Sequence, residues 1–495
     1  MRERPPVYWT LAAITALGAA LRLYHLDYQS IWHDEAISLT VSRAPLGEFF
    51  SFFKPAGSTL PFEYNPPVYG LILHVWFKVW GFGGFEARLL SAVAGILALP
   101  LIFALTRRLY DASTGLVAAL LLAVSQIGVM FSQEARNYEL LLLLALVTAW
   151  LYWIAMSRRS LPAWCGFTVA AVLMVLTQYY GAFVIIALAV FTVFYWRRIP
   201  LAWVAGTALT AAAALIPWAM FALGEQVSAA SDRVQPSYFS IGFSTVAGTI
   251  NRFNNGAVEG LLQSTPAWTF LAGGVLFGGP LLVLLARAFR TPVGRGFSHG
   301  VGVPSERQAT TFVLLLFVVP LAAVLLLGAV MNVQYSIRYV AFCIAPYYVL
   351  VAAGLTRLPA VLRTVALVAI VAYSGYALSA NYRVPYKENY RDAIRLVSEQ
   401  AVPGDCYAFV PFGSKPLPWS FYTTLDPDRR VFLNREIGTE SGCPRLWILT
   451  YERAVTPVHA LWRPRLAEAT AGLTRALDAR FFWVRVERYD RAISK

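Results

Sequence analysis

Pro66-Pro-Val-Tyr-Gly-Leu-Ile-Leu-His-Val-Trp-Phe-Lys-Val-Trp-Gly-Phe82 is the stretch on which the topology of this chain turns. It is apolar but short for a span, opens on two prolines and carries His74 and Lys78. Eleven other stretches are long and apolar enough to cross a bilayer, at about 7–26, 89–106, 113–131, 138–156, 162–178, 181–196, 201–223, 265–287, 311–331, 338–356 and 360–379. Arginines mark their ends: Arg107-Arg108, Arg158-Arg159, Arg197-Arg198, the group Arg287, Arg290, Arg295 and Arg307, and then Arg357 and Arg363. If 66–82 does not cross, all of these share a side with Arg2 and Arg4. If it does cross, every one of them changes side. Cytoplasmic loops collect Lys and Arg, so 66–82 is expected to lie along the membrane surface or dip into it. The result is eleven crossings, with a cytoplasmic N-terminus and an external C-terminus.

The composition agrees. Of 495 residues, 58% are hydrophobic and only 14% charged, against about 25% charged in soluble domains. The net charge of +14 does not call for nucleic acid, because many of the basic residues sit in short pairs at span ends. Attraction to anionic lipid head groups, or to a phosphorylated lipid, is compatible with it. The first span follows Arg2 and Arg4 without a small-residue cleavage site, so it reads as retained. The four cysteines lack metal-ligand spacing. Cys406 and Cys443 leave two readings open, a disulfide or two buried thiols.

In this threading the outer face collects 27–88, Phe131–Tyr138, Gln178–Gly181, 224–264, 332–339 and everything beyond 380. The domains are therefore read as a transmembrane module, 1–379, and an external α/β domain, 380–495. In the latter a helix is expected over Tyr386–Gln400 and another over Pro464–Asp478. Strands are expected at Cys406–Phe412, Arg430–Leu433, Leu446–Tyr451 and Phe481–Glu487.

Candidate chemistry sits on the outer face. Trp32-His33-Asp34-Glu35 opens a short helix, and carboxylates there can simply favour its N-terminus. That accounts for one of the two. The functional reading makes Asp34 a general base or a metal ligand. Glu63, in Pro61-Phe-Glu-Tyr-Asn-Pro-Pro67, is either a solvated loop acid or a second functional carboxylate aimed by the stiff Pro-Pro step. Gln133, Glu134, Arg136 and Tyr138 form a polar cluster between two apolar spans. Interfacial anchoring explains single members, but an outer arginine runs against the positive-inside trend and suits an anionic ligand. Arg338-Tyr339 repeats that anomaly. Tyr64 and His33, beside the carboxylates, are further substrate-binding candidates. Gln178-Tyr-Tyr-Gly181 reads more readily as an aromatic belt than as a cleft wall. No P-loop, dinucleotide fingerprint, His-Glu-x-x-His or nucleophile elbow occurs, so nucleotide sugars and ATP have no visible site.

The order Ser30-Ile-Trp-His-Asp-Glu-Ala36, Asn65-Pro-Pro-Val-Tyr69, Glu86-Ala-Arg-Leu-Leu-Ser91, Phe131-Ser-Gln-Glu-Ala-Arg-Asn-Tyr138, Arg338-Tyr339, Lys387-Glu-Asn-Tyr-Arg-Asp392 and Pro403-Gly-Asp405 resembles the GT-C superfold of lipid-linked-sugar glycosyltransferases. It looks closest to the bacterial protein-mannosyltransferase-like family that includes the lipid A aminoarabinose transferase. The resemblance implies a polyprenyl-phosphate sugar donor on the outer leaflet and inversion at the anomeric carbon. It makes Asp34 the catalytic carboxylate, supported by Glu35 and Glu63, with Arg136 and Arg338 on the donor phosphate. No tail matches the MIR-type lectin domains, so a protein acceptor is not implied.

The expectation is a multi-pass glycosyltransferase of a bacterial inner membrane, acting at the periplasmic face. Segment 224–264 and the C-terminal domain would shape the acceptor side. No cofactor is required by the sequence; Mg or Mn is left open, with Asp34 and Glu63 as candidate ligands. Two rivals remain. One transfers a preassembled oligosaccharide from a lipid pyrophosphate, and the other is a transporter or flippase without covalent chemistry.

Overall fold

The computed structural model describes residues 5–54, 62–195, 201–226, 242–255, 267–290, 304–331, 335–410, 416–425, 445–452, 464, 466–468 and 470–491. The chain divides into two compact units, Met1–Leu26 with Ser38–Tyr382, and Asp27–Ile37 with Arg383–Lys495.

The first unit is helical and built of apolar spans. Among the described residues seven helices are long and apolar enough to cross a membrane: Pro6–Leu23, Gly84–Leu109, Tyr138–Arg158, Leu201–Gln226, Trp268–Arg290, Glu306–Val330 and Ala360–Arg383. An eighth crossing results if Ala112–Ala123 and Gln126–Ser132, bent by 60°, are one span. Each matches one of the eleven expected stretches. The other three are helical and apolar but shorter: Leu161–Val175, Tyr179–Tyr195 and Ala341–Leu355. A helix of 15 residues reaches about 22 Å, against a hydrocarbon core of about 30 Å. These helices are short where polar residues turn out of them. Gln178 is extended before a 3₁₀ turn at Tyr179–Gly181, and Arg338 sits in another at Ile337–Tyr339.

Helix α1 spans Pro5–Leu23, α2 spans His33–Arg43 and α3 spans Val68–Trp80. The 13 residues of α3 reach only about 20 Å, too short to cross alone. Val68, Tyr69, Leu73 and His74 are buried, whereas Ile72, Val75, Val79 and Trp80 are exposed. An apolar outward face suits a helix lying against lipid.

The second unit carries a four-stranded sheet of β1 (Cys406–Val410), β2 (Arg445–Tyr451), β3 (Leu473–Phe481) and β4 (Val484–Arg491) in the order β1-β2-β4-β3. β1 and β2 run parallel, and the other pairs are antiparallel. Helix Tyr390–Gln400 starts where the Asn389 side chain accepts from Asp392 N. Its residues Tyr390, Ala393, Ile394 and Val397, spaced for one face, pack with Tyr407, Phe409, Trp419, Trp447 and Val486.

Two sequence expectations change here, the helix over Pro464–Asp478 and the strand over Phe481–Glu487, which falls on the end of β3, a turn at 482–483 and the start of β4. The helix over Pro464–Asp478 is wrong in its second half, where Leu473–Phe481 is β3. Leu477 and Phe481 pack against the core while β4 supplies an antiparallel ladder along β3, with one register shift between Arg475 and Leu477. Cross-strand pairing thus overrides a helix-forming composition. Cys406 is disulfide-bonded, while Cys165 and Cys343 are free. Cys443 and the strand expected at Arg430–Leu433 lie outside the described residues, as does most of 224–264 apart from the helix Phe243–Phe253.

Candidate active site

In the helical unit the site is set by a break. Helix Ala112–Ala123 ends in open carbonyls, and Arg22 of α1 donates to Ala123 O at 3.2 Å and to Leu122 O at 3.0 Å. Ser125 then caps the next helix, accepting from Gly128 N. Capping both ends of a break inside an apolar bundle removes buried unpaired backbone groups. The chain can therefore turn and deliver Gln133–Asn137 as a compact segment. Gln133 anchors it, its amide donating to the carbonyls of Arg22 and Tyr24 at 3.1 and 2.7 Å. Gly95 permits the approach, because a Cβ there would stand 2.3 Å from Ser132 Oγ and 2.9 Å from Arg22 Nε.

Arg136 emerges from this segment and donates through Nη1 to Ser38 Oγ at 2.8 Å and to Glu63 Oε2 at 3.2 Å. The other carboxylate oxygen of Glu63 accepts from Asn65 N and Nδ2 at 2.9 and 2.7 Å. Glu63 and Arg136 are both buried, at 8% and 7% exposure. Glu63 is thus not a solvated loop acid. Its backbone is fixed as well. The Glu63 N–H donates to Phe52 O, its carbonyl accepts from Gln226 Nε2, and Gln226 Oε1 accepts from Tyr179. Trp218 Nε1 donates to the same Tyr179 hydroxyl at 2.9 Å. Tyr179 is thus linked through Gln226 to the Glu63 backbone.

A narrow cleft with about 10 Å³ of free space opens beside the pair, lined by Ser38, Ser42, Glu63, Asn65, Tyr69, Arg136 and Asn137 among others. Glu134 and Tyr138 are buried next to Arg136 in sequence, and Tyr64 stacks edge-on against Phe62. Arg338 donates to Ser336 Oγ at 3.0 Å, and Tyr339 packs against Tyr180 with ring centroids 5.0 Å apart. A separate apolar cleft of about 390 Å³ is lined by residues such as Tyr152, Trp164, Phe167, Leu188 and Val204.

The second unit holds the other carboxylates. Asp34 and Glu35 lie in the first turn of α2, and His33 begins it. Glu35 is wholly buried and pairs with Lys387 Nζ at 3.3 Å. The segment leading to Asp34 is pinned throughout. Gln29 Nε2 donates to Val384 O and Gln29 Oε1 accepts from Tyr386 N, each at 3.2 Å. Ser30 Oγ accepts from Arg391 N, and Ile31 N donates to Tyr422. Sequence reading quoted Lys387 and Arg391 in a motif but gave them no role. Asn65 likewise stands in a quoted motif without a role, and Ser38 and Gln226 carry no signal of their own. The motifs Asn65–Tyr69 and Lys387–Asp392 are what signals Asn65, Lys387 and Arg391 in the sequence. Among the described residues no three His, Cys, Asp or Glu groups stand together to hold a metal ion.

Residues 64–221 match the model of a family described as dolichyl-phosphate-mannose-protein mannosyltransferase. No curated protein matches the chain. Among solved structures it resembles ArnT from Cupriavidus metallidurans in the apo state, with TM-score 0.59 and 14% identity over 98% of both chains. The same enzyme bound to undecaprenyl phosphate gives TM-score 0.57 and 15% identity over 96% of this chain and 97% of that one. The archaeal oligosaccharyltransferase AglB from Archaeoglobus fulgidus, in complex with an inhibitory peptide and a dolichol-phosphate, gives 0.56 and 13% over 98% and 74%. The chain is a multi-pass membrane protein with the GT-C glycosyltransferase fold.

Proposed function

We propose that this protein is a glycosyltransferase that moves a sugar from a polyprenyl-phosphate donor to an acceptor hydroxyl or amine at the periplasmic face of a bacterial inner membrane. The observation that carries the reading is the buried Arg136, held by Ser38 and Glu63 beside a polar cleft. A desolvated guanidinium is a strong site for a phosphate oxyanion. The full-length likeness to a protein solved with undecaprenyl phosphate supports the lipid donor, and the apolar cleft offers room for an isoprenoid tail. The arginine pairs at span ends support a cytoplasmic N-terminus and an external C-terminus.

In this mechanism Asp34 takes the proton of the acceptor as its oxygen or nitrogen attacks the anomeric carbon. The anomeric C–O bond breaks, and its electron pair leaves on the phosphate. Arg136, with Arg338 as a second cation, stabilises that charge. One displacement inverts the anomeric centre. Glu35, fixed by Lys387, and Glu63, fixed by Asn65 and Arg136, act as positioning groups rather than as further bases.

The test is transfer by the purified full-length protein from short-chain polyprenyl-phosphate monosaccharides to water or candidate acceptors. Turnover with these donors supports the reading. Turnover only with a lipid-pyrophosphate oligosaccharide would favour the oligosaccharide transferase. Lipid movement across vesicles with no cleavage would favour a flippase.

A further inference from the structure

The span Leu201–Gln226 touches the rest of the protein mainly at its two ends. Of its residues only Trp218, Ala222 and Gln226 are buried, spaced four apart along one face and all at the outer end. The inner end is tied to the helix Leu161–Val175. There Trp164 Nε1 donates to Trp203 O at 3.0 Å, and the hydroxyls of Thr168 and Thr207 share a hydrogen bond of 2.8 Å. Between the two ends Ala208, Ala211 and Leu215 form one wall of the apolar cleft, and Phe167, Ala171 and Val175 form another. Pro217 and a π turn over Ala219–Leu223 follow beyond the cleft. Both features bend a helix, and π turns recur at functional sites.

The outer end grips Glu63 from both sides of its backbone. Gln226 Nε2 donates to Glu63 O at 3.2 Å. Trp218 packs against Phe53 with ring centroids 5.1 Å apart, in the turn Phe50–Phe53 whose Phe52 O accepts from Glu63 N. The Tyr179 hydroxyl joins Gln226 to Trp218. Tyr179 follows closely on Val175 of the cleft wall, and Trp218 on Leu215. We propose that Gln226 is a positioning residue of the donor site: an isoprenoid tail in the apolar cleft seats the span, and Gln226 passes that order to Glu63 and so to Arg136. The inference rests on the lipid-phosphate reading above and deepens it. A span tied at its inner end and lined by an apolar cleft is settled by what fills the cleft, through dispersion contacts along its length. With the Glu63 backbone held and its Oε1 kept on Asn65, Arg136 and Ser38 meet an incoming phosphate in one arrangement. The phosphate then pays less of the ordering cost, so tail and phosphate bind cooperatively.

The experiment supplies the two parts of the donor separately. Inorganic phosphate is titrated into the full-length protein in phosphatidylcholine nanodiscs, with and without farnesol. Wild type is expected to bind phosphate about 5-fold or more tightly when farnesol is present. Gln226→Leu should bind phosphate equally with and without it. Tyr179→Phe, which keeps the ring and loses only the hydroxyl, should lose the farnesol effect as well. Ala208→Phe, which fills part of the cleft, should also be indifferent to farnesol, because the alcohol then has no place beside the span. A wild-type affinity unmoved by farnesol would overturn the proposal. So would a Gln226→Leu or Ala208→Phe variant that keeps the full effect, or loss of phosphate binding by Gln226→Leu and Tyr179→Phe under both conditions, which would make the contact structural only. Failure of wild type to bind phosphate in either condition would instead remove the lipid-phosphate reading itself.

Discussion

Glu63 Oε2 accepts from Arg136 Nη1 at 3.2 Å, and neither side chain exposes more than a tenth of its surface. A carboxylate thus occupies the position on Arg136 that an incoming phosphate would compete for. Glu63→Gln leaves a buried guanidinium without its counter-charge, which should cost about 3–5 kcal/mol and lower the melting temperature. Inorganic phosphate should restore part of that loss, since binding to the folded state stabilises it. Arg136→Gln should be destabilised and indifferent to phosphate. Equal phosphate rescue of both variants in a thermal-shift assay would contradict Arg136 as the anion site.

In the second unit Lys387 and Glu35 form a pair more deeply buried still, at 3% and 0% side-chain exposure. Lys387→Met should cost about 3–5 kcal/mol by removing the buried cation paired with Glu35. Lys387→Met with Glu35→Gln should be milder than either substitution's cost would suggest. A double-mutant cycle by chemical denaturation reads this directly. Additive losses would mean that the two side chains are not coupled.

Gly95→Ala tests the helix break. The added methyl meets Ser132 Oγ at 2.3 Å and Glu139 Oε2 at 2.9 Å, so overpacking should cost about 1–3 kcal/mol. Donor binding should fall with stability, because the same helix end delivers Arg136. A variant as stable and as active as wild type would show that this contact yields freely.

Acid should act on the C-terminal sheet through Asp405. Burial raises its carboxyl, but hydrogen bonds from Arg445 Nε and Nη2 at 2.9 and 2.8 Å, from Trp447 Nε1 at 2.7 Å and from Val402 N at 3.0 Å outweigh that, and the net direction is down. A carboxyl held below its unfolded value, about 3.9, stabilises the fold above that pH and loses the contribution as pH falls through the lowered value. Near-UV circular dichroism of the full protein should therefore show an acid transition below about pH 4. Asp405→Asn should flatten it and cost about 2 kcal/mol at neutral pH. An unchanged transition in the variant would place the acid sensitivity elsewhere.

What the sequence could reveal followed from composition and from anomalies of charge. The apolar runs locate the spans, and an arginine expected on the outer side against the positive-inside trend draws attention to Arg136. The sequence could not show that Arg136 meets Glu63, because a contact across 73 positions leaves no periodic trace. Ser38 and Ser42 look like ordinary polar positions on α2 until the tertiary fold places Arg136 and Asn137 with them around one cleft. Lys387 lies 352 positions from Glu35 in the chain and had only its motif to recommend it. β3 was misread because Leu473–Phe481 owes its strand form to β4 and not to its own residues.

The central claim is best tested by sugar transfer from a polyprenyl-phosphate monosaccharide, comparing wild type with Asp34→Asn. The account predicts turnover by wild type and a loss of roughly 10²–10⁴-fold in the variant, the span expected for a missing general base, with donor affinity retained. Equal turnover in the two proteins would contradict it and remove Asp34 from the mechanism.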